Sequence, residues 1–74
     1  MSDLTYINKE LTMEGTLQAK ESQVVVAGKF KGNITAKTVI LESTSIFDGI
    51  LNAEHLKIEG QASGEVTAEF LLYQ

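Results

Sequence analysis

Val26-Ala27-Gly28-Lys29-Phe30-Lys31-Gly32-Asn33-Ile34-Thr35-Ala36 decides how the chain is read. Phe30, Ile34 and Ala36 share one phase of a two-residue alternation with Gly28 and Gly32, and lysine, asparagine and threonine fill the other phase. A spacing of two is the period of a β-strand, and the i, i+3, i+4 spacing of an amphipathic helix is missing. The template returns on both sides: Met13-x-Gly15-x-Leu17-x-Ala19 before it, then Phe47-x-Gly49-x-Leu51-x-Ala53 and Ala62-x-Gly64-x-Val66-x-Ala68 after it. Four copies of one unit are present, with glycines separated by 17, 17 and 15 positions.

The two length differences fall in polar stretches, Lys20 to Gln23 and Glu42 to Ser45, which read as loops. After each alanine comes a second alternating pair: Val24 and Val26, Val39 and Leu41, Leu56 and Ile58, Leu71 and Tyr73. Leu4, Ile7 and Leu11 could line one face of a short helical turn. Tyr6 to Met13 also reads as the degraded end of an earlier unit, and that reading is preferred.

A unit of 15 to 17 residues is too small to form a sheet with itself, so neighbouring copies must supply its hydrogen-bond partners. The expected fold is therefore all-β: a parallel β-helix, or solenoid, of about four to five short rungs of 15–17 residues. It forms a single domain over residues 1–74, with repeats over about 5–73 and residues 1–4 as a short tail. Residues of equal repeat position should stack in columns. Leu17, Ile34, Leu51 and Val66 form one inward column, the four alanines a second, Val24, Val39, Leu56 and Leu71 a third, and Met13, Phe30, Phe47 and Ala62 a fourth. Gly15, Gly32, Gly49 and Gly64 read as structural corner glycines, needing positive φ or close backbone contact.

Composition narrows the function. A net charge of −4 from six lysines and ten acidic residues leaves no basic face for a nucleic-acid backbone. Hydrophobic content of 43% is that of a folded chain, and no cysteine is present to staple it. Neither a signal peptide nor an apolar run of membrane-spanning length is visible, so the expected place is the cytoplasm.

The chemistry of catalysis is not assembled. His55 is the single histidine and lies in the charged stretch Glu54-His55-Leu56-Lys57, where it reads as a surface residue. No catalytic residue, cofactor-binding residue, metal ligand or small-molecule substrate is assigned, and the chain is not expected to be an enzyme. The glycines are not followed by the G-K-[ST] of a phosphate loop. Glu42 and Glu59 are expected in one outward column, where paired acids serve solubility. The six-residue aliphatic period of β-helical acyltransferases breaks within one rung, and the Thr-x-Thr rows of antifreeze β-helices are missing.

Three stretches carry a likeness to a known family: Leu11-Thr12-Met13-Glu14-Gly15-Thr16-Leu17, the Val26–Ala36 stretch quoted above, and Ile58-Glu59-Gly60-Gln61-Ala62-Ser63-Gly64-Glu65-Val66-Thr67-Ala68. Across roughly residues 5 to 73 the chain resembles the bactofilins, bacterial cytoskeletal proteins that polymerise without nucleotide. The resemblance implies a right-handed parallel β-helix and a non-polar stacking of like ends. It also implies cell-envelope or morphogenesis proteins as further partners, and the inner face of the cell membrane as a second place of work. Family members usually have more rungs and disordered tails, often rich in proline, whereas this chain has no proline. Some carry a short membrane-targeting segment, to which Met1–Asp3 offers no clear counterpart, so membrane association is left open. A phenylalanine near the C-terminal end of the core is associated with polymerisation in the family, and Phe70 is the position that resembles it.

The ends themselves suggest the same function. An open β-helix exposes unpaired N–H and C=O groups at each end, a template for another chain. The repeats run from about Tyr6 to Tyr73 and leave few residues for a cap. The main partner is therefore another copy of the chain. The C-terminal interface is expected at Phe70, Leu71, Leu72 and Tyr73, and the N-terminal one at Leu4, Tyr6, Ile7 and Leu11. A non-polymerising β-helical module that binds a protein or cell-wall component is the alternative. Lys20, Lys37, Glu54 and Glu69 follow the four alanines, and stacked they would make one corner basic at one end and acidic at the other. Val25, Ile40, Ile50 and Leu72 should point outward, three of them in a column interrupted by Lys57.

Overall fold

The computed structural model describes residues 4–73. Five strands follow one another along the chain: β1 (Leu4–Ile7), β2 (Thr12–Val26), β3 (Lys29–Leu41), β4 (Ile46–Ile58) and β5 (Gln61–Tyr73). Each pairs in parallel with the next, so sheet order equals chain order. The chain coils upward and every turn hydrogen-bonds to the turn below, giving a β-solenoid of four rungs preceded by one short strand.

The register is the one the repeats demand. Gly15 pairs with Gly32, Gly32 with Gly49 and Gly49 with Gly64, and the phenylalanine, leucine, alanine and valine columns stack in the same way. All four glycines have positive φ, between +101° and +136°. Their uniformity has a packing cause as well: a Cβ built on Gly32 would strike the backbone of Gly15, and one on Gly49 the backbone of Gly32. The chain can therefore bend at this corner on every rung only if the position lacks a side chain.

The core fills the coil. Ile34, Leu51, Val24, Val39, Val26 and Leu41 are fully buried, and Phe30 and Phe47 stack with ring centroids 5.9 Å apart. Inward phase runs from Phe30 to Ala36 and resumes at Val39, with Lys37 and Thr38 both turned outward where the strand bends.

The remaining corner alternates between two forms. Asn8–Leu11 and Glu42–Ser45 are four-residue turns closed by Leu11 N–H to the Asn8 carbonyl (2.9 Å) and Ser45 N–H to the Glu42 carbonyl (2.8 Å). Between and above them the chain turns in two residues, Ala27-Gly28 and Glu59-Gly60. Each tight turn nests against the wide turn below it: a Cβ on Gly28 would meet the Asn8 and Leu11 carbonyls, and one on Gly60 the Glu42 carbonyl and Ser45. Thr44 braces the stack by donating to the Ala27 carbonyl at 2.6 Å.

Two expectations need correction. Glu42–Ser45 is a turn as expected, but Lys20–Gln23 is not a loop: it lies inside β2 as an irregularity between Ala19 and Gln23, where two extra residues oppose the single step of β3. Parallel ladders on both sides of it hold the extra residues in extended form. Lys20 consequently sits in the bulge, outside the regular column of Lys37, Glu54 and Glu69. The segment at the start is an earlier rung, since β1 pairs with Gln23–Val26.

Candidate functional site

Burial within one column depends on the rung. Val24, Val39 and Leu56 are sealed, yet Leu71, in the same inward column, is 57% exposed because no strand lies above β5 among the described residues. Phe70 and Leu72 flank it in the outward phase and are equally open. Three consecutive large apolar residues, one turned inward and two outward, are therefore exposed at the C-terminal end, on the strand edge that no other described strand pairs with. Tyr73 completes that strand through its backbone pairing with Ile58. Phe70 is held from beneath by His55, the two rings stacking at 5.0 Å and 13°. His55 thus serves as a platform for the aromatic at the end.

At the other end Leu4, Tyr6 and Leu11 are exposed. Ile7 is the correction: only 1% of it is exposed, and it packs in the core against the Val26 column. The alternation of β1 turns Ile7 inward when it turns Tyr6 outward, so Ile7 anchors the strand and has no surface for a partner. Met13 takes its place among the exposed apolar residues of this end. The repeat put Met13 in the core column of Phe30 and Phe47; the available signal was that no earlier copy of the template precedes it.

Gly15 reports the same open edge from the backbone. A Cβ on it would meet nothing within 4 Å, in contrast to its three partners in the column. The strip from Thr12 to Ser22 thus lacks a layer beneath it among the described residues, while Gln23–Val26 is covered by β1. One side of the rod accordingly has five layers and the others four.

Tyr6 is tied down by a long reach, its hydroxyl donating to Glu42 Oε1 at 3.3 Å. The Glu42 charge, then desolvation and this hydrogen bond, hold the phenol above the ordinary tyrosine value. Lys57 makes an ion pair with Glu59 at 3.6 Å on the flank of the rod. Among the described residues no group of three or more potential metal ligands converges, and no helix is long and apolar enough to cross a membrane.

Among the described residues a sealed middle thus lies between two ends that carry exposed apolar side chains. Comparison with curated proteins and with solved structures returned no significant match. The family model of the bactofilins, described as polymer-forming cytoskeletal, matches residues 5–73, nearly the whole chain, and the protein therefore belongs to the bactofilin family.

Proposed function

We propose that this bactofilin is a structural scaffold that forms filaments by end-to-end stacking of its β-solenoid, without nucleotide. The observation that carries the reading is the exposure of Phe70, Leu71 and Leu72 on the terminal layer of columns that are otherwise sealed. Closing such an end removes apolar side chains from water and pairs a free strand edge, two favourable terms that a lone copy of this size lacks. Leu4, Tyr6 and Leu11, with Met13, serve the N-terminal end.

The layer count constrains the joint. If a second copy were translated along the axis so that its Thr12–Ala19 continued above Gln61–Ala68, its β1 would fall in the layer already held by Phe70–Tyr73. Translation by one more layer leaves a gap on the other sides. A joint between like ends, or one turned about the axis, avoids the conflict.

Phe70→Asp and Leu72→Asp test the reading by electron microscopy and sedimentation. Both variants should keep the β-sheet circular dichroism of the parent and lose filaments. Unchanged filaments would refute end joining through these residues. The absence of cysteine makes Leu71→Cys a clean probe, since disulfide dimers formed on oxidation of filaments report contact between like C-terminal ends.

A further inference from the structure

The stack of His55 and Phe70 lies outside the core, and the packing of the rod does not call for it. Its column reads Leu4, Gln23, Thr38, His55, Phe70 from the first strand to the last, so the aromatic pair occupies only the last two layers. Both side chains point outward and are exposed, and neither belongs to the core cluster. The rings nonetheless lie 13° from parallel with centroids 5.0 Å apart, within the roughly 4.5–7 Å at which aromatic pairs attract. That separation is close to the roughly 4.8 Å between hydrogen-bonded layers. Phe70 therefore lies over His55 along the axis and does not fold back onto the flank. Phe30 and Phe47 stack in a similar way inside the rod, where neighbours enclose them. Phe70 has His55 beneath it and, among the described residues, no strand above it. We propose that His55 is a positioning residue for the C-terminal joint: a flat side chain here holds the Phe70 ring over its own column, its free face turned toward an incoming copy.

The inference rests on end joining and adds to it the residue that makes the end ready to join. An exposed phenylalanine samples several rotamers, and a joint that uses it has to fix one of them. A ring beneath it fixes that rotamer before the joint forms, so less ordering is left for association. The other two apolar residues of this end are aimed differently. Leu71 takes its direction from the inward phase of the strand, and Leu72 stands over Lys57, whose ammonium is paired with Glu59. Phe70 is thus the one of the three whose direction is set by a neighbouring exposed ring. Because His55 is itself exposed, a substitution there reaches the joint without touching the sealed middle. The role calls for a flat ring, and no hydrogen bond of the imidazole enters it.

His55→Thr copies the residue one layer below, Thr38, and suits a strand. In sedimentation over a dilution series, this variant should need about three to ten times more protein than the parent to form filaments, the effect of leaving one side chain to be ordered on joining. The urea midpoint of the dilute single copy should not change. His55→Phe should restore the parent's assembly, whereas His55→Leu, which is apolar but lacks a flat ring, should not. In a Phe70→Leu background, His55→Thr should have no further effect, because the ring it positions is gone. Assembly of His55→Thr at the parent's concentration, a lowered urea midpoint that accounts for the loss, failure of His55→Phe to restore assembly, or restoration by His55→Leu each overturns the positioning role and leaves end joining intact. A parent that forms no filaments, or Phe70→Asp filaments like those of the parent, overturns both.

Discussion

Leu56 and Leu71 occupy the same column, one rung apart, in the same residue type and the same phase of the strand. One is 2% exposed and the other 57%. Phe47 and Met13 repeat the contrast at the other end of the rod. Alternation decides which way a side chain points, but a solenoid side chain is buried only when layers lie above and below it. The middle of the molecule is therefore a completed core, and among the described residues the ends are the same core left open.

The contrast can be broken most severely in the middle. Leu51→Ala removes a fully buried side chain and is expected to cost about 2–5 kcal/mol, enough to unfold much of a chain this small. Leu71→Ala in a preparation below the concentration of assembly should cost less than about 1 kcal/mol, because much of that side chain is already in water. Urea denaturation of both variants measures the difference. Equal losses would mean that Leu71 is covered in the single copy.

The glycine column sharpens the comparison through the backbone. Gly15→Ala and Gly49→Ala both place an alanine at positive φ, a cost of about 1–2 kcal/mol. Only the second also drives a methyl group into the backbone of the rung below. Gly49→Ala should therefore fail to fold under conditions in which Gly15→Ala still gives a cooperative thermal transition.

Smaller effects are expected at the nested turns. Thr44→Val, which deletes the hydrogen bond to the Ala27 carbonyl, should lower stability by about 1 kcal/mol. Ser45→Ala beside it should be neutral or stabilising by up to about 1 kcal/mol, since the buried Ser45 hydroxyl has no hydrogen-bond partner among the described residues. Chemical denaturation midpoints distinguish the two.

The smallest effect is at Tyr6. Its raised pKa means that the stabilisation from the Tyr6–Glu42 contact is present below the ordinary tyrosine value, near 10, and is lost as pH climbs through the higher folded value. Amide exchange in β1 should accelerate over that alkaline window in the parent. Tyr6→Phe, lacking the ionisable phenol, should show no such step.

Much of this architecture was legible in the letters. Columns, strand phase and corner glycines follow from a short unit repeated four times, because each copy independently obeys the two-residue period and the same bend. The C-terminal apolar cluster was legible for the same reason, as Phe70 to Tyr73 continue the unit without interruption. Polar composition misled at Lys20–Gln23, where ladders on either side absorb two extra residues that a local reading assigns to a loop.

Apart from Lys20, which the bulge displaces, sequence alone determined which residues share a column and which side of the strand they face, since both depend on spacing within a few residues. Tertiary structure alone decided that Ile7 is sealed while Met13 is open, that tight and wide turns alternate, and that one side has five layers where the others have four. Each of these turns on what lies directly above or below a residue, a neighbour that is about a full rung away along the chain and absent from its local pattern.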